Sequence, residues 1–147
     1  MLGVFNIMSY IEIERIWTDD DEMLQLDFRA SNDSQVGQQD FYIYPKSLLD
    51  FSLRLQEFPE NIEDEVILEY GKDPNFYCYF LLRALVLDNV GHSALELVFN
   101  NRLAPPLQAE VKFYMQCEPA TINELGKELV SWAANMGDVF RYEWKNT

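Results

Sequence analysis

The residues of this chain that could carry out catalysis are few, and their spacing matches no standard catalytic motif. His92 is the only histidine among 147 residues, and it stands between Gly91 and Ser93 in a predicted turn. A triad needs histidine beside a nucleophile and an acid, and a metal site usually takes more than one such ligand. No G-x-S-x-G elbow surrounds Ser93. We therefore expect no enzyme, no catalytic residue, no bound metal and no cofactor.

Carboxylates are abundant enough to keep an enzymatic alternative open. The chain has 25 acidic and 11 basic residues and a formal net charge of -14. Residues 1–69 account for a net charge of −12 and residues 70–147 for only −2. Paired carboxylates can catalyse hydrolysis or bind hard cations. The alternative hypothesis is therefore a small hydrolase or a metal-dependent enzyme that uses carboxylates and His92.

Two acidic clusters in the N-terminal half are the candidate partner-binding residues. An excess of acid argues against nucleic acid, whose phosphates attract Lys and Arg, and favours a basic protein partner. Both clusters fall in predicted loops, where binding residues are common. Trp17 or Phe58 would supply an apolar anchor. Acidity that serves solubility alone is the competing interpretation. The candidate residues are Asp19, Asp20, Asp21, Glu22, Glu60, Glu63, Asp64 and Glu65.

Two tyrosine pairs are candidates for a base-stacking platform. Tyr42 and Tyr44 alternate in one predicted strand, and Tyr77 and Tyr79 in another. Such a platform needs interleaved cations, and Lys46 is the only one close to the first pair in sequence. The sequence therefore favours packing of these rings within the sheet or its core.

Cysteine content and hydropathy indicate a cytoplasmic protein without a membrane span. Cys78 and Cys117 lie in apolar strand-like runs, which favours buried free thiols, although a disulfide stays open if the strands are neighbours. No segment reaches the roughly 20 apolar residues of a membrane helix. Met1 and Met8 are both candidate start residues. Residues 1–8 are accordingly a candidate N-terminal extension of the single domain predicted for residues 1–147.

Hydrophobic periodicity predicts about seven strands. Apolar and polar residues alternate over 10–17, 24–30, 41–44, 66–70, 95–99 and 111–117, which is typical of half-buried strands. The run 76–87 is almost continuously apolar and predicts a central strand covered on both faces. Residues 139–144 either add a short strand or pack on the surface.

Two helical stripes complete the predicted fold. Leu48, Phe51 and Leu55 follow helical spacing over 46–57, after Pro45 and before Pro59. A second helix is predicted over 121–136, with a capping box from Thr121 to Glu124. The order of elements and the short loops predict an α+β fold. It would be a curved antiparallel sheet or sandwich of about seven strands packed with two helices.

A set of short segments between residues 10 and 135 carries a resemblance to a known family. The segments are Asp19-Asp20-Asp21, Asp40-Phe41-Tyr42-Ile43, Pro45, the 48–58 helix, Gly91-His92, Glu118-Pro119-Ala120, and Leu125 with Leu129. In these segments the chain resembles the WapI-type immunity proteins of bacterial polymorphic toxin systems, or a related small bacterial family. The resemblance implies a cytosolic antidote that binds and blocks a basic toxin domain and has no catalytic residues of its own.

Overall fold

The computed structural model contains two antiparallel sheets and two helices. It describes residues 8–18, 23–135 and 137–146. The elements are β1 (Met8–Thr18), β2 (Leu24–Ser31), β3 (Val36–Ile43), α1 (Pro45–Glu57), β4 (Glu65–Tyr70), β5 (Tyr79–Val86), β6 (Ser93–Asn100), β7 (Glu110–Cys117), α2 (Pro119–Asn135) and β8 (Val139–Lys145). The predicted α+β class is confirmed, with eight strands where about seven were predicted.

Each sheet has four strands. The first sheet has the order β3-β2-β1-β8, and the second has the order β4-β5-β6-β7. Helix α1 follows β3, and helix α2 follows β7. The C-terminal tail forms the strand β8, which pairs with β1 from Met8↔Lys145 to Glu14↔Val139. The first sheet therefore joins the two ends of the described chain.

The apolar faces of the two sheets meet in an aromatic core. The alternation along β2 places Leu26 and Phe28 in this core. The ring of Phe80 lies 4.7 Å from that of Phe28 and 4.4 Å from that of Phe41, measured between centroids. Phe99 adds a T-shaped contact to Phe80 at 5.5 Å. Such ring pairs contribute roughly 0.5–1.5 kcal/mol each beyond the area that they bury.

A glycine allows strand β3 to contact the second sheet. A Cβ at Gly37 would stand 2.2 Å from Cδ2 of Phe99, far inside van der Waals contact. Every other residue type has a Cβ, so only glycine fits this position without movement of its neighbours.

The two helices pack directly on each other. A Cβ at Gly126 would lie 2.6 Å from the carbonyl oxygen of Ser52, so the helix backbones approach closely. The Asn123 side-chain amide donates to the carbonyl oxygens of Leu55 at 2.8 Å and Phe58 at 2.7 Å. These carbonyls lie at the end of α1, where the helix supplies no partner of its own. Helix α2 therefore caps α1 through a side chain.

Two predicted boundaries are displaced in the structure. Helix α2 begins at Pro119 rather than Thr121, because the Glu118 carbonyl accepts the N–H groups of Thr121 and Ile122. The predicted capping box therefore lies inside the helix. Strand β5 begins at Tyr79 rather than Phe76, since a turn occupies the start of the apolar run. Met136, the last residue of the predicted helix, lies outside the described residues.

Both cysteines are free and buried, as the sequence predicts. Burial raises the pKa of the Cys78 thiol to about 11 and that of Cys117 to about 12. Both therefore remain protonated near neutral pH. Within the described ranges, no helix combines the length and the apolar character that crossing a membrane requires.

Replacing Gly37 tests the contact between β3 and Phe99. We expect Gly37→Ala to lower the free energy of unfolding by about 1–3 kcal/mol, because the added methyl group overpacks a filled site. Urea denaturation measures the change. The double variant Gly37→Ala/Phe99→Leu is the control, and it should recover part of the loss. Equal stability of Gly37→Ala and the parent protein would contradict the contact.

Candidate functional site

A cleft of about 490 Å³ opens between β3 and the ends of β6 and β7. Its volume lies in the range of roughly 300–1,000 Å³ that is typical of ligand sites. Strand β3 forms one wall from Val36 to Asp40. Phe99, Val111 and Leu103 form an apolar wall opposite, and Tyr77 stands beside Asp40. The cleft thus combines an apolar surface with a polar strand.

The wall made by β3 is an unpaired strand edge. The Asp40 carbonyl oxygen accepts the Tyr77 hydroxyl at 3.0 Å and the Cys78 thiol at 3.6 Å, so it points away from β2. Backbone groups alternate between the two sides of a strand, so the N–H and C=O of Gln38 point to this same open side. Gln38 therefore offers one backbone donor and one backbone acceptor at the cleft.

Two glutamine side chains add polar groups to this wall. Gln39 is buried and donates through Nε2 to the Asp40 carbonyl oxygen at 3.0 Å. Gln38 is exposed and donates through Nε2 to the Asp27 carboxylate. Each amide also has a carbonyl oxygen, which is an acceptor. The wall therefore presents amide acceptors beside the backbone donor.

Asn101 shapes the loop that closes the other side of the cleft. Its Nδ2 donates to the Leu107 carbonyl at 3.0 Å. Its Oδ1 accepts the N–H groups of Leu103 at 3.1 Å and Ala109 at 3.0 Å. The loop so held places Leu103, half exposed, against the cleft, while Leu107 is 70% exposed and does not line it.

Four aromatic side chains form a cluster at the Tyr77 end of the cleft. We call Tyr42, Tyr70, Phe76 and Tyr77 the aromatic cluster. Tyr77 lies 6.3 Å from Tyr42 and 5.7 Å from Tyr70, and Phe76 lies 5.3 Å from Tyr70, between ring centroids. Phe76 and Tyr77 keep nearly half of their surface exposed. Burial and the charge of Asp40 raise the pKa of Tyr77, so its hydroxyl remains a donor.

Arg102 holds the turn that carries this cluster. Its guanidinium donates to the carbonyl oxygens of Gly71 at 2.7 Å, Asp73 at 2.9 Å and Phe76 at 3.1 Å. It also lies 5.6 Å from the centre of the Tyr79 ring, within the range of a cation–π contact. Sequence reasoning missed this cation because Arg102 is distant from the tyrosines along the chain. No local signal in the sequence joins them.

Four of the eight predicted acidic binding residues belong to the described part of the chain. Asp19, Asp20, Asp21 and Glu22 lie outside the described residues. Glu60 and Glu63 are exposed. The Asp64 carboxylate contacts Arg54 at 3.5 Å and accepts the Glu60 N–H at 3.0 Å, and Glu65 contacts Arg83 at 3.0 Å. Two of the four described acids therefore serve local structure.

One of the two apolar anchors predicted from the sequence, Phe58, is not on the surface. Phe58 is 2% exposed and belongs to the core. It is unavailable to a partner because it packs behind the end of α1. The side chain of Trp17, the other anchor, lies outside the described side chains.

His92 does not form a catalytic group with Ser93. Its ring Nδ1 hydrogen-bonds the Asp88 carboxylate in the exposed turn between β5 and β6. That hydrogen bond and the Asp88 charge raise the pKa of His92. The Ser93 hydroxyl is buried and donates to the Cys117 carbonyl oxygen. Among residues 8–18, 23–135 and 137–146, no group of three His, Cys, Asp or Glu side chains could hold a metal ion.

The most buried carboxylate is fully occupied by structural partners. Glu96 accepts Arg83 Nε at 3.0 Å and the Tyr114 hydroxyl at 2.7 Å, and Lys112 lies 3.6 Å away. Burial alone would raise the pKa of Glu96, but these hydrogen bonds and charges outweigh it and lower the pKa. Glu96 is therefore an ionised structural group rather than a general acid.

Three solved plant structures are similar to this chain. WHY1 from Arabidopsis thaliana gives a TM-score of 0.50 at 12% identity, over 89% of this chain and 86% of that chain. The plant transcriptional regulator PBF-2 gives 0.47 at 12% identity, over 86% and 74%. WHY3 from Arabidopsis thaliana gives 0.43 at 13% identity, over 91% and 89%. At this identity the likeness to WHY1 shows a shared fold. No protein-family model and no curated protein matches the chain.

The similarity to WHY1 overturns the predicted function and partner. WHY1 is described neither as an immunity protein nor as a hydrolase. The prediction of a toxin-neutralising immunity protein is therefore wrong, and so is the alternative of an enzyme that uses carboxylates and His92.

The exclusion of nucleic acid as a partner, in favour of a basic protein, is also wrong. Its physical error was to judge partners from net charge, which ignores where the charges lie. The resemblance to WapI-type sequences stays a prediction.

Replacing Arg102 tests how the aromatic cluster is held. We expect Arg102→Lys to speed the modification of Cys78 by a thiol reagent at least tenfold near pH 8. Lysine cannot reproduce the planar set of donors, so the turn beside Cys78 loosens. Cys117 is the internal control and should keep its slow rate, because its raised pKa and burial do not depend on Arg102. An unchanged Cys78 rate would show that the cluster does not need this arginine.

Proposed function

We propose that this chain is a non-enzymatic binding protein whose cleft receives an unpaired base of a single-stranded nucleic acid. The observation that carries the proposal is the combination of an apolar wall, an unpaired strand edge and an adjoining aromatic cluster. Each part corresponds to one requirement of base recognition.

The cleft matches the chemistry of a nucleobase. A base has two apolar faces and an edge on which hydrogen-bond donors and acceptors are adjacent. Leu103 and Val111 offer an apolar surface for a face of the base. The backbone N–H and C=O of Gln38 offer the matching donor and acceptor for its edge. We infer that the base pairs with the edge of β3 in this way.

The aromatic cluster suits the bases that follow along a strand. Phe76 and Tyr77 are nearly half exposed, and Tyr77 also lines the cleft. Stacking of a base on an aromatic side chain contributes roughly 1–3 kcal/mol and tolerates any base. We therefore assign base binding to the cleft and sequence-tolerant stacking to the cluster.

The distribution of cations fits a strand that binds through its bases. Arg102 and the exposed Lys72 flank the aromatic cluster. Several other cations are paired with acids and have less charge to offer a phosphate. These pairs are Arg15–Asp138, Arg54–Asp64, Arg83–Glu65 and Arg141–Glu12. Few phosphates would therefore be neutralised on binding.

A matched pair of leucine variants tests the cleft. The measurement is fluorescence anisotropy with a single-stranded DNA of roughly 12 nucleotides. We expect Leu103→Glu to weaken binding at least tenfold, because a carboxylate would enter the cleft. Leu107→Glu is the control, since it adds the same charge to the same loop but lies outside the cleft. Circular dichroism should show that both variants remain folded.

The outcomes separate the proposal from its competitors. Equal weakening by both variants would show a general charge effect and would contradict binding in the cleft. The absence of binding to DNA and to RNA of the same length would refute the proposal. A free nucleoside that competes at millimolar concentration would indicate that the base alone is the ligand. Equal affinity for the duplex of the same sequence would also refute it, because paired bases cannot enter the cleft.

The salt dependence of binding is a separate test. We expect the logarithm of the association constant to fall with the logarithm of salt concentration with a slope of about −0.7 to −1.4, which corresponds to one or two phosphate contacts. Titrations at several salt concentrations measure the slope, and Arg102→Ala should reduce its magnitude. A slope several times steeper would mean that phosphates dominate binding and that base recognition is secondary.

A further inference from the structure

Within the described part of the chain, the buried indole N–H of Trp132 in α2 has no hydrogen-bond acceptor. Of the buried side-chain nitrogen and oxygen atoms described, it is the one that lacks a partner. An unsatisfied buried donor costs stability, so such a group in a folded protein calls for a physical explanation. Trp144 provides the contrast, because its indole N–H donates to the Gln116 carbonyl oxygen at 3.1 Å.

A small cavity lies beside this N–H. Its volume is about 40 Å³, and its lining includes Leu24, Leu48, Trp132 and Gly137. A Cβ at Gly137 would stand 2.9 Å from the Trp132 Nε1 atom. The space next to the indole nitrogen therefore exists because residue 137 has no side chain.

An apolar groove adjoins the cavity on the surface between the two helices. The groove measures about 270 Å³ and is lined by Leu49 on α1 and by Val130 and Ala134 on α2. Pro45 and Ala133 line both the groove and the cavity. The cavity and the groove are therefore neighbours that share these two residues as walls.

A buried water molecule is a poor candidate for the missing acceptor of this N–H. A buried water needs two to four polar partners to be held well. The walls of the cavity are almost entirely apolar, apart from the indole nitrogen and Arg15. An acceptor atom attached to an apolar molecule would satisfy the same N–H and would bury hydrocarbon surface in the groove.

The charges at the site favour an uncharged molecule. Arg15 at the cavity contacts Asp138 at 3.2 Å, and Lys46 at the groove contacts Asp50 at 4.0 Å. Each cation is thus accompanied by an acid, and an additional anion would gain little.

We propose that the cavity at Trp132 and the adjoining groove bind a small, uncharged, mainly apolar molecule that carries one hydrogen-bond acceptor. The acceptor, a ketone or ester carbonyl, takes the indole N–H of Trp132. The hydrocarbon part lies in the groove against Leu49, Val130 and Ala134. None of these residues lines the cleft at β3, so this site and the proposed base-binding site can succeed or fail separately.

The experiment follows the indole N–H signals of the three tryptophans by two-dimensional NMR of the full chain. The probe is 2-heptanone, and the matched control is 2-methyl-1-heptene, in which a CH₂ group replaces the carbonyl oxygen. Trp132→Phe assigns the signal. We expect 2-heptanone to move the Trp132 indole proton downfield and to saturate with a dissociation constant of about 1 mM, which is reasonable for a ligand of this size. The alkene should leave the proton shift unchanged, and the Trp144 signal should not move.

Two variants at the site and one control variant decide whether the ketone binds there. Gly137→Ala fills the cavity, and Leu49→Glu places a charge in the groove, so each should weaken binding more than tenfold. Leu53→Glu is the matched control, because Leu53 is an exposed leucine of α1 that does not line the groove. It should bind the ketone as the parent chain does. The absence of a saturable shift would overturn the proposal. An equal response to the alkene, or an equal loss in Leu53→Glu, would overturn it too.

Discussion

The contact of Gly37 with the Phe99 ring is the constraint on which both the core and the cleft depend. Phe99 packs against Phe80 in the core on one side and lines the cleft on the other. Because residue 37 has no side chain, the edge strand β3 can rest on that ring. A larger residue would push β3 outward and change both the spacing of the sheets and the width of the cleft. The stability of the core and the shape of the cleft are therefore coupled through one glycine.

The edge of β7 shows how side chains of the first sheet cover unpaired backbone groups of the second. On β7, Asn32 donates to the Tyr114 carbonyl at 3.0 Å and Trp144 donates to that of Gln116 at 3.1 Å. Both donors come from the first sheet or its loops and cover the edge of the second. Exposed strand edges invite unwanted pairing, so such coverage is expected. The stretch of β3 at Gln38 lacks an equivalent cover in the described part of the chain, and this stretch borders the cleft. An uncovered strand edge therefore adjoins a ligand-sized space.

Local patterns predicted most elements because each depends on residues close in sequence. The alternation in β2 and the stripe of Leu48, Phe51 and Leu55 reflect burial on one face, and the structure confirms both. The displaced start of α2 has a local cause, but the arrangement at the cleft has long-range causes. Arg102, which is remote in sequence, donates to the Phe76 carbonyl oxygen in the turn before β5. The cleft itself joins β3 to a loop far along the chain, and no spacing rule in the sequence connects them.

The acidic character of the chain constrains how a nucleic acid could approach it. Glu14, Asp27 and Asp40 stand directly opposite one another on neighbouring strands of the first sheet. Like charges in such positions repel one another. The Gln25 side-chain amide donates a hydrogen bond to the Asp40 carboxylate at 3.1 Å. The same row of carboxylates repels phosphates from the outer face of this sheet. A strand that reaches the cleft must therefore turn its phosphates toward solvent and toward Arg102, and present its bases to β3. Under the proposed function, acidity so placed would select the orientation in which the base enters first.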